Sequence, residues 1–171
     1  MDDKLQLEQG AEQIAAFIYN SQTDAYKNNR VVTVSYSRTA GNNWCFGALL
    51  GTTACDFNQT VTTESDYCAI DGAKRTLSAQ SANSLDLLRS IDSGDGAFSY
   101  DPVRGMFVDS SDSLELALSS PGDSYRLKLQ MNSVGRINLC SDGSDYKIPG
   151  YSTCAVQQVD SDPVEGEGEA L

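Results

Sequence analysis

The five cysteines are the residues of this chain best suited to covalent chemistry. They are Cys45, Cys55, Cys68, Cys140 and Cys154, and no two of them are spaced as C-x-x-C. The chain has no histidine that could complete a Cys/His ligand set. A zinc site would therefore need four thiolates from scattered positions, so disulfides are the better interpretation. Because disulfides persist only in an oxidising compartment, the cysteines predict an exported protein.

Two of the cysteine pairs flank polar segments of a length that a disulfide can close. Cys140 and Cys154 enclose a Gly-containing polar loop, and closing such a loop stabilises a fold by roughly 3 kcal/mol in the chain-entropy model. Cys55 and Cys68 enclose a similar polar segment. Cys45 is then left over as a small buried hydrophobe, unless it pairs with Cys55 or Cys68 and leaves the other free.

The other candidate catalytic residues lack partners. Asp92-Ser93-Gly94 has the form of an aspartic protease motif, but that chemistry needs two carboxylates sharing a proton and the sequence holds a single copy. Without histidine there is no Ser-His-Asp triad and no ordinary general base at neutral pH. We therefore predict a turn at 92–94, no catalytic residues and no enzymatic activity.

Four aspartates lie in turns rich in Ser, Asp and Gly, where loop carboxylates could bind Ca²⁺. They are Asp109, Asp112, Asp142 and Asp145. Their spacing does not match the EF-hand pattern, in which ligands recur at fixed positions of a 12-residue loop. We predict that they are solvated turn residues, and we expect neither a metal nor a cofactor.

Length and charge limit the classes of partner. The 171 residues suffice for one domain with a buried core. There are 24 acidic and 12 basic residues, a formal charge of −12, which disfavours binding to nucleic acid or anionic lipid by the whole surface. No run of about 20 apolar residues, the length that spans a bilayer as a helix, occurs in the sequence.

A single helix is predicted over residues 2–28. Its apolar stripe recurs at helical spacing and consists of Leu7, Ala11, Ile14 and Ile18. We expect this face to pack against the β domain, with Leu127 and Leu129 as partners.

After the helix the hydrophobic period changes to two, which is typical of half-buried strands. The pattern is clearest over 32–37 and 125–131, whereas 51–75 is polar and loop-like. The prediction is an α+β fold, in which a long N-terminal helix packs on an antiparallel β domain of about seven strands. The predicted divisions are the helix at 1–30, a disulfide-bonded β domain at 31–155 and an acidic, disordered tail at 156–171, with five acidic and no basic residues from 160 onward.

Several short motifs occur in a fixed order between residues 25 and 154. They are Ala-x-x-x-Asn-Arg-x-Val-Thr-Val at 25–34, Trp-x-x-Gly at 44–47, an aromatic-x-Pro-x-x-Gly-type strand at 98–105, Gly-Arg at 135–136 and Gly-Tyr-x-x-Cys at 150–154. In this combination the chain resembles the GspH/FimT family of type IV minor pilins and pseudopilins. The residues that carry the family motif are Trp44, Gly47, Pro102, Arg104, Gly105, Gly135 and Arg136.

The resemblance implies a segment ahead of residue 2. Members of the family begin with a cleaved leader and a hydrophobic helix half that anchors the subunit in the membrane and packs inside the fibre. Met1 is instead followed by Asp2, Asp3 and Lys4. We therefore expect a short basic leader and about 20 apolar residues to be encoded upstream, with residues 2–28 as the amphipathic second half of the helix.

The resemblance also implies a function in assembly rather than catalysis. It implies a minor pilin that helps to initiate and cap a type IV pilus, on the periplasmic face of the bacterial inner membrane and then outside the cell. The partners would be other minor pilins and the major pilin, contacted through the helix and the β-domain surfaces. The alternatives are the H-type pseudopilin of a type II secretion system and a DNA-uptake pilin. DNA-uptake members carry Gly-Arg-x-Arg, but Asn138 holds the second Arg position here, which with the charge makes nucleic acid an improbable partner.

Overall fold

The computed structural model describes residues 3–39, 43–79, 88–91, 96–105, 107–108, 114–120, 124–132, 134–143 and 148–154. These ranges contain one helix, α1 at Asp3–Asn28. The strands are β1 Val32–Thr39, β2 Asn43–Leu50, β3 Ala69–Ile70, β4 Ala73–Lys74, β5 Thr76–Ser78, β6 Leu88–Ile91, β7 Gly96–Tyr100, β8 Leu114–Ser119, β9 Arg126–Met131 and β10 Ile137–Ser141. The predicted α+β fold is confirmed. The predictions for 92–94, Asp109, Asp112, Asp145 and the tail 156–171 lie outside the described residues.

The end of α1 is set by a left-handed residue. Asn29 has a φ of 49°, a conformation that asparagine tolerates better than most residues. The amide of Arg30 donates to the carbonyl of Ala25 and that of Asn29 to the carbonyl of Tyr26, at 3.3 Å each. This pair of bonds is a Schellman motif, which satisfies carbonyls that the helix end leaves free. The chain then reverses into β1.

The strands form two four-stranded antiparallel sheets and one small hairpin. The first sheet has the order β5-β2-β1-β7 and the second β10-β9-β8-β6. In the second sheet the inward-facing residues of β9 alternate strictly with partly exposed ones. Leu127 and Leu129, predicted as partners of the helix stripe, are fully buried in the same core as that stripe.

The prediction of about seven strands was too low. Seven of the strands within the described ranges have four or more residues, and β3, β4 and β5 are shorter. β3 and β4 lie inside 51–75, which the sequence analysis assigned to loop, and β5 begins directly after that range. Asp71 and Gly72 between β3 and β4 have φ values of 53° and 76°. A two-residue Asp-Gly turn with both φ positive is the favoured hairpin connection, and this signal was overlooked because the flanking strands are so short.

The last strand begins after the Gly-Arg motif. β10 starts at Ile137, and Val134 ahead of it is 53% exposed. Gly135, with a φ of 77°, interrupts the extended backbone between them. The Gly-Arg motif therefore lies in the turn before β10.

Candidate assembly surface

The inner face of α1 is the apolar stripe that the sequence indicated. Leu7, Ala11, Ile14 and Ile18 are all fully buried. They belong to one core with residues of both sheets. Fully burying an Ile or Leu side chain stabilises a fold by about 1.5–3 kcal/mol, so burial of this inner stripe holds the helix on the β domain.

The outer side of α1 carries large apolar residues in solvent. Leu5, Tyr19 and Tyr26 are 45%, 62% and 51% exposed. Their numbers differ by 14 and 7, and residues seven apart lie on one side of a helix, as in the seam between two packed helices. We call Leu5, Tyr19 and Tyr26 the outer seam. The sequence analysis did not predict the outer seam, although its seven-residue spacing is visible in the sequence, because the inner stripe of Leu7, Ala11, Ile14 and Ile18 has more apolar residues at closer spacing.

Glu12 occupies the remaining seven-residue position between Leu5 and Tyr19. It is exposed, and its carboxylate accepts a hydrogen bond of 3.3 Å from the Tyr151 hydroxyl. Burial and the nearby charges of Glu12 and Glu8 raise the pKa of Tyr151. The loop that the Cys140–Cys154 disulfide closes therefore contacts α1 beside the outer seam.

Two motif glycines that are distant in sequence meet against α1. The side chain of Gln22 donates a hydrogen bond to the carbonyl of Gly105. A Cβ on Gly135 would lie 2.6 Å from that same carbonyl oxygen and 2.9 Å from the Gln22 amide nitrogen. A Cβ on Gly105 would collide with the Tyr26 hydroxyl. Both glycines also have positive φ. Each position therefore requires glycine for two reasons, the left-handed backbone conformation and the lack of space for a Cβ atom.

The two motif arginines flank this contact. Arg104 precedes Gly105 and Arg136 follows Gly135, and both are exposed. A groove of about 680 Å³ beside them is lined by Tyr19, Gln22, Val134 and Arg136, among others. Val103 on the neighbouring turn is 78% exposed. The outer seam therefore continues into a surface that combines apolar side chains with two positive charges.

The remaining motif residues are structural. Trp44 is 2% exposed in the core and Pro102 is partly buried in the turn after β7. A Cβ on Gly47 would lie 2.6 Å and 2.7 Å from the sulfurs of Cys55 and Cys68. The Trp-x-x-Gly motif thus places on one strand, β2, a bulky core residue and the glycine against which the Cys55–Cys68 disulfide packs.

The structure pairs the cysteines as Cys55–Cys68 and Cys140–Cys154. Cys45 is free and partly buried, rather than a fully buried residue. Burial raises the pKa of the Cys45 thiol, and the positive charge of Lys74 opposes that rise only in part. The thiol is therefore mostly protonated, and hence a poor nucleophile, at neutral pH.

Metal ligation and membrane spanning find no support in the described part of the chain. No cluster of three potential ligands for a metal occurs there. Asp142 instead forms an ion pair of 3.5 Å with Lys128. Nor does the helix described here have the length and apolarity needed to cross a bilayer.

A helix fixed to antiparallel sheets by one face, with a second apolar line left in solvent, defines a pilin-like subunit. The family model of the type II transport protein GspH matches residues 10–135, and the chain belongs to that family. The resemblance inferred from the motifs is therefore confirmed.

Solved structures with the same fold come from a type IV minor pilin. Two crystal forms of FimU from Pseudomonas aeruginosa strain PAO1 match with a TM-score of 0.51 and 16% identity. The matches cover 85% and 84% of this chain, and 93% and 98% of the respective FimU chains. At that identity the likeness establishes the fold alone. A comparison with curated proteins finds no match.

Proposed function

We propose that this protein is a minor pilin that helps to initiate and cap the assembly of a type IV pilus. The observation that carries the proposal is the outer seam, because its three large apolar side chains, 14 and 7 residues apart on one side of α1, offer a surface that a neighbouring helix can cover. The inner face of α1 is already occupied by the β domain, so the outer seam is free to pack against neighbouring subunits.

The surface around Gly105 and Gly135 gives the proposed subunit a way to choose its neighbours. Arg104 and Arg136 are exposed beside Val103 and Val134, in a chain whose formal charge is −12. Positive charge beside apolar surface favours a neighbour that offers carboxylates around an apolar patch, and charge complementarity selects partners more than it adds affinity. We call the surface around Gly105 and Gly135 the glycine junction. On this proposal the helix supplies the contact and the glycine junction supplies the specificity.

The runner-up is the H-type pseudopilin of a type II secretion system. It is supported by the description of the matching family, the type II transport protein GspH. The fold supports both alternatives equally, since a pilus and a pseudopilus would use the same helix packing. A DNA-uptake pilin is a weaker alternative, because Arg136 is present but Asn138 replaces the second arginine and the charge opposes DNA binding.

The test is a deletion of the gene in its native bacterium, in a strain that cannot retract pili, with both surface pili and secreted type II substrates measured. We expect pili to be lost and secretion to be unchanged. Restoration by the wild-type gene, but not by Tyr19→Ser/Tyr26→Ser, would assign the loss to the outer seam. A matched control is Gln9→Ser/Gln13→Ser, which alters two exposed positions of α1 away from that seam.

The two measurements separate the alternatives. Loss of secretion with normal pili would overturn the pilus assignment in favour of the pseudopilin. Normal pili and normal secretion in the deletion strain would contradict both. The purified Tyr19→Ser/Tyr26→Ser domain should melt within a few degrees of wild type, since exposed side chains contribute little to stability.

A further inference from the structure

A second cleft lies on the opposite flank of α1 from the glycine junction. It has a volume of about 470 Å³ and is lined by Asn20, Asp24 and Lys27 of α1 and by Lys74, Arg75 and Thr76. Three of the 12 basic residues of the chain therefore line one cleft. Because the chain as a whole has a formal charge of −12, this cleft is a local concentration of positive charge, which favours an acidic partner.

One of the three cations is neutralised within the cleft. The Asp24 carboxylate is 5% exposed and accepts a hydrogen bond of 3.1 Å from the Arg75 guanidinium. The backbone of Arg75 is held as well, because its amide donates to Cys68 and its carbonyl accepts from Ala48. The lining of the cleft thus includes one ion pair that carries no net charge.

The other two cations remain uncompensated. Lys27 and Lys74 are exposed, and neither forms an ion pair with a described residue. Lys27 lies in the last turn of α1, where the helix dipole presents about half a negative charge, which is less than the two ammonium charges. Asp71, on the neighbouring turn, accepts a hydrogen bond of 3.2 Å from Asn28 rather than from either lysine.

We propose that this cleft binds the acidic segment 160–171 of the same chain. The segment carries five carboxylates and no basic residue, so its charge complements that of Lys27 and Lys74. The contact requires no secondary structure in the segment, because several carboxylates can exchange at two ammonium groups. The docked segment neutralises the excess positive charge of the cleft and is independent of the proposed role in pilus assembly.

The chain is long enough for this contact. Cys154 is fixed to Cys140 by a disulfide, and Tyr151 contacts Glu12 on α1. From Glu12 to Lys27 the helix rises about 22 Å. The 11 residues from 154 to Glu165 can span about 36 Å when extended. Crossing to the other flank of α1 adds about 12 Å, the diameter of a helix with its side chains. The extended length of this stretch therefore still exceeds the distance to the cleft.

The experiment compares the full chain with a chain that ends at Val159, both labelled with ¹⁵N. At about 20 mM salt we expect removal of the segment to shift the amide resonances of Asn20–Asn28 and Lys74–Thr76, and at about 500 mM salt the difference should vanish through screening. When both chains carry Lys27→Glu/Lys74→Glu, removal of the segment should no longer shift these resonances. Arg104→Glu/Arg136→Glu makes the same charge change on the opposite flank of α1 and should leave the shifts intact.

A synthetic peptide of residues 160–171 provides a second arm. Added to the shortened chain, it should shift the same amides and bind at least tenfold more tightly than a peptide whose five acids are replaced by their amides. Identical cleft resonances in the two chains would overturn the proposal. The proposal would also be overturned if the double lysine variant and the double arginine variant changed the cleft shifts equally. Shifts that grow with protein concentration would contradict it too, because they would come from a second copy of the chain.

Discussion

Gly135 lies directly over the peptide carbonyl of Gly105, 30 residues earlier in the chain. A Cβ on Gly135 would approach that oxygen to 2.6 Å, a distance that real Cβ atoms do not adopt. Gln22 of α1 donates to the same oxygen. The helix, the turn after β7 and the turn before β10 are therefore held in one contact, which positions the surface that carries Arg104 and Arg136.

Gly135→Ala should destabilise the fold by about 2–5 kcal/mol. A left-handed alanine costs about 1–2 kcal/mol, and forcing a methyl group against backbone adds about 1–3 kcal/mol. Gly143→Ala is the matched control, since Gly143 also has a positive φ of 80° but no atom within 4 Å of its Cβ position. Denaturant unfolding of both variants measures the difference, and equal losses would mean that the contact with Gly105 contributes nothing.

Gly47→Ala should lower the free energy of unfolding by about 1–3 kcal/mol, the usual cost of overpacking. The added methyl group would meet both sulfurs of the Cys55–Cys68 disulfide and the Phe57 ring at 2.9 Å or less. In a Cys55→Ala/Cys68→Ala background the sulfurs are gone, so the same substitution should cost less. A thermodynamic cycle from urea unfolding tests this coupling, and an unchanged cost would contradict it.

Ile14→Asp should unfold the domain or destabilise it by more than about 4 kcal/mol, because it places an unpaired charge in the fully buried inner stripe. Gln13→Asp makes the same charge change at the adjacent, exposed position and should alter stability by about 0.5 kcal/mol or less. Thermal melts followed by circular dichroism give both values. Equal melting temperatures would contradict the packing of α1.

Tyr100→Phe should protect the protein against alkaline unfolding. Burial raises the pKa of Tyr100 above its ordinary value of 10.0, because the phenolate would be desolvated in the core. The folded state thus binds this proton more tightly than the unfolded chain. Its contribution to stability is fully present below pH 10 and is lost as the pH rises through the raised pKa.

The comparison requires denaturant unfolding between about pH 8 and pH 11. At pH 8, Tyr100→Phe should differ little from wild type, since within the described ranges the Tyr100 hydroxyl donates one hydrogen bond, to the sulfur of Met131 at 2.9 Å. Above pH 10 the stability of wild type should fall more steeply than that of the variant. Tyr19→Phe, at a 62% exposed position, should leave the wild-type slope unchanged.

The elements that depend on local interactions could be predicted from the amino-acid sequence. The 3.6-residue spacing of Leu7, Ala11, Ile14 and Ile18 established both the helix and its buried face, and the period-two pattern of 125–131 established β9. The polar segment between Cys140 and Cys154 indicated their pairing, since a short loop limits how far its ends can separate. The motifs identified the family, because their order along the chain can be recognised without knowing which residues are in contact.

The contacts between residues that are distant in sequence became known from the three-dimensional fold. The contact of Gly105 with Gly135, the seat of the disulfide on Gly47 and the cation-lined cleft around Asp24 and Arg75 each join residues from separate elements. No local pattern encodes such approaches, because a glycine that permits a turn and a glycine that permits a close contact look the same in sequence. The outer seam was present in the sequence as a spacing of seven, but its exposure follows only from the way the two sheets cover the other face of α1.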